Sequence, residues 1–502
     1  MKNRILCFIL ALLICISLFA ACDGVIAEET TVLPDGVTES GTNTDDATES
    51  GTNTDEGTVS GAETTAAVEV TPSDKEKDYD DSFYLWVVSQ YNPINYYWVE
   101  ESNGSAFSEA IFNRQEQVRE SLGVEIVGSV PGDHWAYSQK FKTEVKNMTG
   151  AVDTLISSTA MDISGLISTN SLRDFANMPG IDLDKEYWNT DFMDSLSVNG
   201  KYYLGQSDFN VLSTYVISFN KDLMGKYQDQ LEKDVYQMVR DREWTIDAMI
   251  NLAKLAYIEG DSVETTQYGF AGHQEDAWVG FMHASELTLV ELGDDGYYQL
   301  SFMNDANRTR MDTLVKSLTE FAAAEYTCIE YMTKEPLKAP ITSGKTLMQL
   351  SHTHQLPEYL GGELDFGILP YPLFDTEQEN YHSLQFGGYI CIPSYLRNDE
   401  MVGDVLETLS LNSEEVNAVF YDELLGEQTD ANLADREMLD IVWNSVCTDF
   451  GLAFSNEAQG LPYFLPVVTT GWYTLPGYYQ QNAWGWNNKL ENYIKKLSNN
   501  NP

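Results

Sequence analysis

The residues whose types and spacing could do chemistry mostly fail on a missing neighbour. Ser343-Gly344-Lys345-Thr346 has the ending of a phosphate-cradling loop, but Ala339 stands where the cradle needs its first glycine. No ATPase activity is therefore expected. His352 and His354 would share one face of an extended segment, yet a metal requires more than two ligands. Solvated surface histidines are the expectation, and no metal or cofactor is predicted. Cys328, Cys391 and Cys447 stand at wide spacing with no Cys-x-x-Cys, which allows at most one internal disulfide. Glu414-Glu415 is one acidic pair in a chain with 78 acids, so an acid and nucleophile pair has no distinctive position and a solvated face is expected. What is abundant is flat aromatic surface, with ten Trp and 29 Tyr.

Chemistry of another kind is written at the start. Lys2 and Arg4 lead into an apolar stretch from Ile5 to Phe19, followed by Ala20-Ala21-Cys22. A basic start, a short apolar core and small residues before a cut predict a secretory leader over residues 1–21. The apolar run is shorter than the ~20 residues a spanning helix needs. Ala20-Ala21-Cys22 resembles the bacterial lipobox, with Phe19 in place of the usual leucine. The resemblance implies a lipidated Cys22 that holds the chain at the extracellular face of a membrane, Gram-positive in type. The other reading is an ordinary Cys22 with cleavage by the common signal peptidase. Residues 22–81 are rich in Thr, Ser, Gly, Asp and Glu, and an octet beginning at Thr38 recurs at Thr48. Such composition predicts a disordered, self-repelling tether with a reach on the order of 40 Å.

Removing the +2 of the leader and the −15 of the tether from the whole-chain charge of −49 leaves −36 on residues 82–502. That balance excludes nucleic acid as a partner and favours a neutral or cationic ligand. The length predicts two lobes.

Elements able to position a site are readable in places. Phe83 to Val88, Val124 to Val127 and Val152 to Ser157 read as strands, with helices at Phe107 to Leu122 and Tyr137 to Met148 between them. Gly123 is placed to end the first helix. The alternation predicts an α/β fold with a parallel sheet and ligands outside the carboxyl ends of its strands. Further strands are expected at Tyr202 to Gly205, Thr214 to Asn220, Tyr268 to Ala271, Phe366 to Leu369 and Tyr389 to Pro393. Helices are expected after the N-cap Thr245, from Met401 to Leu411 and from Asp435 to Val446. The runs Tyr96-Tyr97-Trp98 and Trp484-Gly485-Trp486 read equally well as surface-packed loops.

A series of blocks then carries a resemblance. They are Ile181-Asp182-Leu183-Asp184 with Tyr187-Trp188-Asn189, Val198 to Tyr203, Phe219-Asn220-Lys221-Asp222-Leu223, Val239 to Thr245, Gln267-Tyr268-Gly269, Ser343 to Leu347, Asp365 to Pro372, and Met438 to Gly451. In order and spacing they resemble the family 1 extracellular solute-binding proteins of ABC importers, the oligosaccharide-binding type, in its clostridial members. The resemblance implies a two-lobed periplasmic-binding-protein-like type II fold with a ligand cleft and hinge crossings near 210–214, 384–388 and 448–451. It places lobe 1 at 82–212 and 386–447 and lobe 2 at 213–385 and 448–502, with Ser213, Gly387 and Gly388 as hinge residues. It implies a monomer, carbohydrate as ligand, permease subunits as partners, and contact with the membrane through the lipid anchor alone.

Pyranose rings need flat apolar faces, and hydroxyls need planar polar groups. Where strands are predicted to end, the candidates are Trp86, Gln90, Tyr91, Ser158, Thr159, Trp278, Tyr389 and Trp472. Each aromatic has a core role as its alternative. Three functions remain open: a lipid-tethered sugar receptor for an importer, a surface glycoside hydrolase, and a non-transport polysaccharide-binding lipoprotein. A receptor returns its ligand uncut and closes on it. A hydrolase yields fragments, and the third needs no closing cleft.

Overall fold

The computed structural model describes residues 77–500 outside the short segments 89–92, 133–135, 158–162, 211–213, 275, 294–296, 332–335, 354–355, 357–363, 386, 426–432 and 455–459. The leader, Cys22 and nearly all of the tether lie outside the described residues.

The first sheet begins with β1 (Asp81–Val87), β2 (Val124–Ser129) and β3 (Thr154–Ile156), all parallel, with Phe83 opposite Ile126 and Leu85 opposite Thr154. Between them run the helices Ala106–Leu122 and Tyr137–Asn147. The first is capped as its sequence dictates. Ser105 Oγ accepts from the Ser108 N–H, and Gly123 closes the other end at φ 64°.

The second half starts with β4 (Tyr215–Asn220) and β5 (Tyr268–His273), continues through a hairpin of β6 (Val290–Leu292) and β7 (Tyr298–Leu300), and adds β8 (Thr327–Glu330), β9 (Thr346–His352) and β10 (Phe366–Leu369). The second sheet is ordered β10-β4-β9-β5-β8, with β4 antiparallel to both its neighbours. Three blocks of sequence have plain jobs here. Asn220 caps the helix Lys221–Tyr227, Thr245 caps the helix Ile246–Leu255, and Trp244 donates its indole N–H to the Pro370 carbonyl at 2.9 Å. Gly269 lies so close to that helix that a Cβ would stand 1.9 Å from the Ala253 carbonyl oxygen. Asn199 and Gly200 both take positive φ in the tight turn between Val198 and Lys201.

Three short strands complete the chain: β11 (Ser383–Leu384), β12 (Ile390–Cys391) and β13 (Val446–Cys447). β12 joins the first sheet antiparallel to β3, giving the order β12-β3-β1-β2, while β11 and β13 pair in parallel.

Several expectations need correction. Tyr202 to Gly205 forms no strand, only the isolated bridge from Gly205 to Ile390. Trp484 and Trp486 belong to the long helix Leu475–Asn500 rather than to a loop; Trp486 is buried and Trp484 is 80% exposed. His352 is not a solvated histidine. It is 6% exposed on β9, edge-on to the Tyr215 ring at 4.9 Å. Elsewhere, the helix Leu433–Asn444 packs on β10. Asp435 secures it there, accepting from the Ile368 N–H and the Tyr236 hydroxyl and pairing with Lys221 at 2.7 Å.

Candidate functional site

The carboxyl ends of both sheets meet the segments that pass between them. In the first sheet β1, β2 and β3 end at Val87, Ser129 and Ile156, and β12 enters at this edge from Gly388. In the second, β5, β8, β9 and β10 end at a common edge, where β4 begins. The three passages are bonded side by side. Thr214 bridges Gln385 and donates its hydroxyl to the Leu384 carbonyl at 2.7 Å, and the Gln385 N–H donates to the Cys447 carbonyl at 2.9 Å. Gly388, at φ 81°, accepts from the Asn210 side-chain amide and donates its N–H to the Ser157 carbonyl. The left-handed backbone there favours glycine. Gly387 precedes it, and Ser213 lies outside the described residues.

The expected ligand residues divide. Gln90, Tyr91, Ser158 and Thr159 lie outside the described residues. Trp86 is 5% exposed, edge-on to Phe141 and covered by the Lys140 ammonium at 4.8 Å from its ring. Tyr389 is fully buried against Phe192, and its hydroxyl donates to the Gln385 carbonyl at 3.2 Å. Burial raises its phenol well above the usual range. Trp278 is also fully buried, against Phe281, and its indole N–H has no hydrogen-bond partner among the described residues. In this conformation none of these three offers an open ring face. Trp472 does. It is 59% exposed and edge-on to Tyr331, the first residue beyond the carboxyl end of β8. Polar groups reach the same edge: Gln274 bonds Glu330 through its N–H, and the Gln274 amide lies 3.5 Å from the Thr469 hydroxyl.

Sequence reading missed a buried pair at the third passage. Asp449 begins the helix Phe450–Ala453, accepts from the Leu289 and Gly451 N–H groups, and lies 3.3 Å from His283 Nε2. It also missed a polar pit of about 290 Å³, walled by Tyr187, Trp188, Gln206, Asp208, Trp443 and Val446. Burial, then the charge of Glu414, pushes the Asp208 carboxyl up to about 6. None of the expected ligand residues that are described lines this pit. Acids and amides scattered over distant segments leave no local signal to find it by. Among the described residues no group of three or more His, Cys, Asp or Glu could hold a metal, and no helix is long and apolar enough to cross a membrane.

No family model matches the chain, and no curated protein matches it in sequence. Solved structures do match in shape. The cyclic α-maltosyl-1,6-maltose binding protein of Arthrobacter globiformis superposes with a TM-score of 0.55 at 12% identity, over 82% of this chain and 99% of that one. The GacH receptor of Streptomyces glaucescens, solved unliganded and with acarbose, gives 0.54 at 14% over 82% and 99%. The ABC substrate-binding protein Lmo0181 of Listeria monocytogenes, in complex with cycloalternan, gives 0.51 at 14% over 83% and 99%. The fold is two-lobed and maltose-binding-protein-like. Its solved neighbours bind sugars, and at these identities the likeness is one of architecture.

Proposed function

We propose that this chain is an extracellular receptor that captures a carbohydrate, an oligosaccharide in class, and delivers it unchanged to an ABC importer. The observation that supports this most is the convergence of two sheets' carboxyl edges on three hydrogen-bonded passages, the place where open α/β sheets take ligands. The saccharides held by the structural neighbours support the choice of ligand class. In this reading the passages near Thr214, Gln385 to Gly388 and Thr448 flex, and the lobes close on the ligand. Trp472 supplies an open stacking face, and Trp86, Trp278 and Tyr389 form walls that contact sugar only in a more open state. Cys22 carries the lipid that moors the receptor outside the cell.

The test is thermal unfolding of the chain with acarbose, maltotetraose and cycloalternan, followed by chromatography of the recovered sugar. A ligand at 100 times its dissociation constant adds ~2.7 kcal/mol of folded stability. A rise in Tm with at least one saccharide recovered intact is expected. No shift with any saccharide, or recovery of shortened fragments, overturns the reading; fragments would point to a hydrolase.

A further inference from the structure

The polar pit carries charge of one sign only. Asp208 lines it together with Glu186 and Asp191, and no Lys, Arg or His among the described residues does. The backbone of Asp208 is fixed on both sides: its N–H donates to the Tyr187 carbonyl and its carbonyl accepts from the Asn417 amide, each at 3.0 Å. Its half-buried carboxylate joins no ion pair or hydrogen bond among the described residues. Burial and Glu414 raise that carboxyl to about 6, so at neutral pH it holds a charge that its surroundings leave uncompensated. Gln206, 6% exposed, lines the same pit. Its Oε1 accepts from the Gln385 amide at 2.9 Å, which fixes the side chain and leaves the Nε2 donors without a partner among the described residues. The aromatic walls are held as well. The Tyr187 hydroxyl and the Trp188 indole N–H both donate to Glu407, and Trp443 stands edge-on to the Tyr421 ring at 5.9 Å.

These walls select by charge and size. A bare ion is far smaller than about 290 Å³, and among the described residues no group of three or more His, Cys, Asp or Glu could hold a metal. A molecule bearing its own carboxylate or phosphate is repelled by the three acids. A small molecule with a positive nitrogen to face Asp208 and the rings, and an oxygen to accept from Gln206, answers each group in turn. We propose that the pit is a binding site for a small hydroxylated organic ammonium, an amino sugar in class, with the ammonium on Asp208 and a sugar oxygen on Gln206. The site is independent of the receptor reading, since it needs neither closing lobes nor a saccharide between them. Two of its walls are tied to the passages: Val446 pairs with Ser383 across β13 and β11, and Gln206 holds Gln385. An occupant is therefore felt at the passages.

The test is calorimetry on the full chain at pH 7 with D-glucosamine, and with N-acetyl-D-glucosamine as the matched neutral probe. Saturable binding of glucosamine, tighter than that of its N-acetyl form by about tenfold or more, is expected. Hydrogen exchange should slow at residues 206–208 and 446–447 when glucosamine binds. Asp208→Asn should weaken glucosamine by about tenfold or more with the fold kept, as urea unfolding will show. Trp443→Leu should weaken it by about fivefold; if that variant fails to fold, Asp208→Asn decides. No saturable binding of glucosamine, equal binding of the two probes, or full affinity in Asp208→Asn overturns the proposal. Saturation by calcium chloride in place of glucosamine also overturns it, by making the pit a metal site. If no saccharide shifts the Tm in the thermal test, the receptor reading fails while the response of Asp208→Asn to glucosamine still judges the pit.

Discussion

Asp208 shows how its surroundings set a residue's behaviour. Its carboxyl is raised by burial first and by Glu414 second, to about 6. Between pH 4 and 6 the folded chain keeps a proton that the unfolded chain has released, so stability falls as pH rises through that window and stays lower above it. Asp208→Asn should therefore stabilise the protein at pH 7 by about 1 kcal/mol, after discounting for the water that screens a partly exposed carboxyl, and leave it unchanged at pH 4. Urea unfolding at the two pH values checks this; an equal effect at both would refute it. Asp435 is the opposite case, a buried carboxylate serving Ile368, Tyr236 and Lys221 together. Asp435→Ala strands all three partners and should cost about 3 to 5 kcal/mol in the same measurement.

At the scale of elements, the blocks that suggested a family are explained by packing. Tyr187 and Trp188 both donate to Glu407, at 2.5 and 2.9 Å, tying their loop to the helix Asp399–Leu411. Gly269 permits the helix Ile246–Leu255 to lie directly on β5. Gly269→Ala should cost about 3 kcal/mol by forcing helix and strand apart, whereas Thr245→Ala, which loses one cap, should cost about 1 kcal/mol. Paired denaturation curves that rank the two the other way would contradict the packing argument. Caps and amphipathic helices were legible because their signals are local. β9 was not: Thr346–His352 is buried at every position in the middle of its sheet, so it lacks the alternation by which strands are read. The C-terminal helix was hidden by Gly477, Gly485 and its tryptophans.

The whole molecule is an acidic two-lobed body whose sequence places a cysteine and a long polar stretch ahead of it. If Cys22 is acylated, Cys22→Ala should move the protein from the membrane fraction to the medium, which fractionation of the producing cells detects. If Trp472 is a stacking platform, Trp472→Ala should weaken saccharide binding by about 1 to 3 kcal/mol in calorimetry, with no loss of folded stability because its ring is mostly exposed.

Taken alone, the sequence determined an acidic, polar N-terminal stretch, an α/β alternation, several caps and a resemblance whose fold the structure bears out. These are properties of neighbouring residues, and short-range chemistry is enough to set them. Tertiary structure decided which aromatics are shut inside and which face water, why His352 is buried, and that the C-terminal helix meets the helix Ile163–Ser168. Trp278 and Trp472 look alike in a chain of letters; one is walled in by its neighbours and the other stands in the open. That difference is made by residues far away along the chain, because burial depends on what folds back over a side chain rather than on the side chain itself.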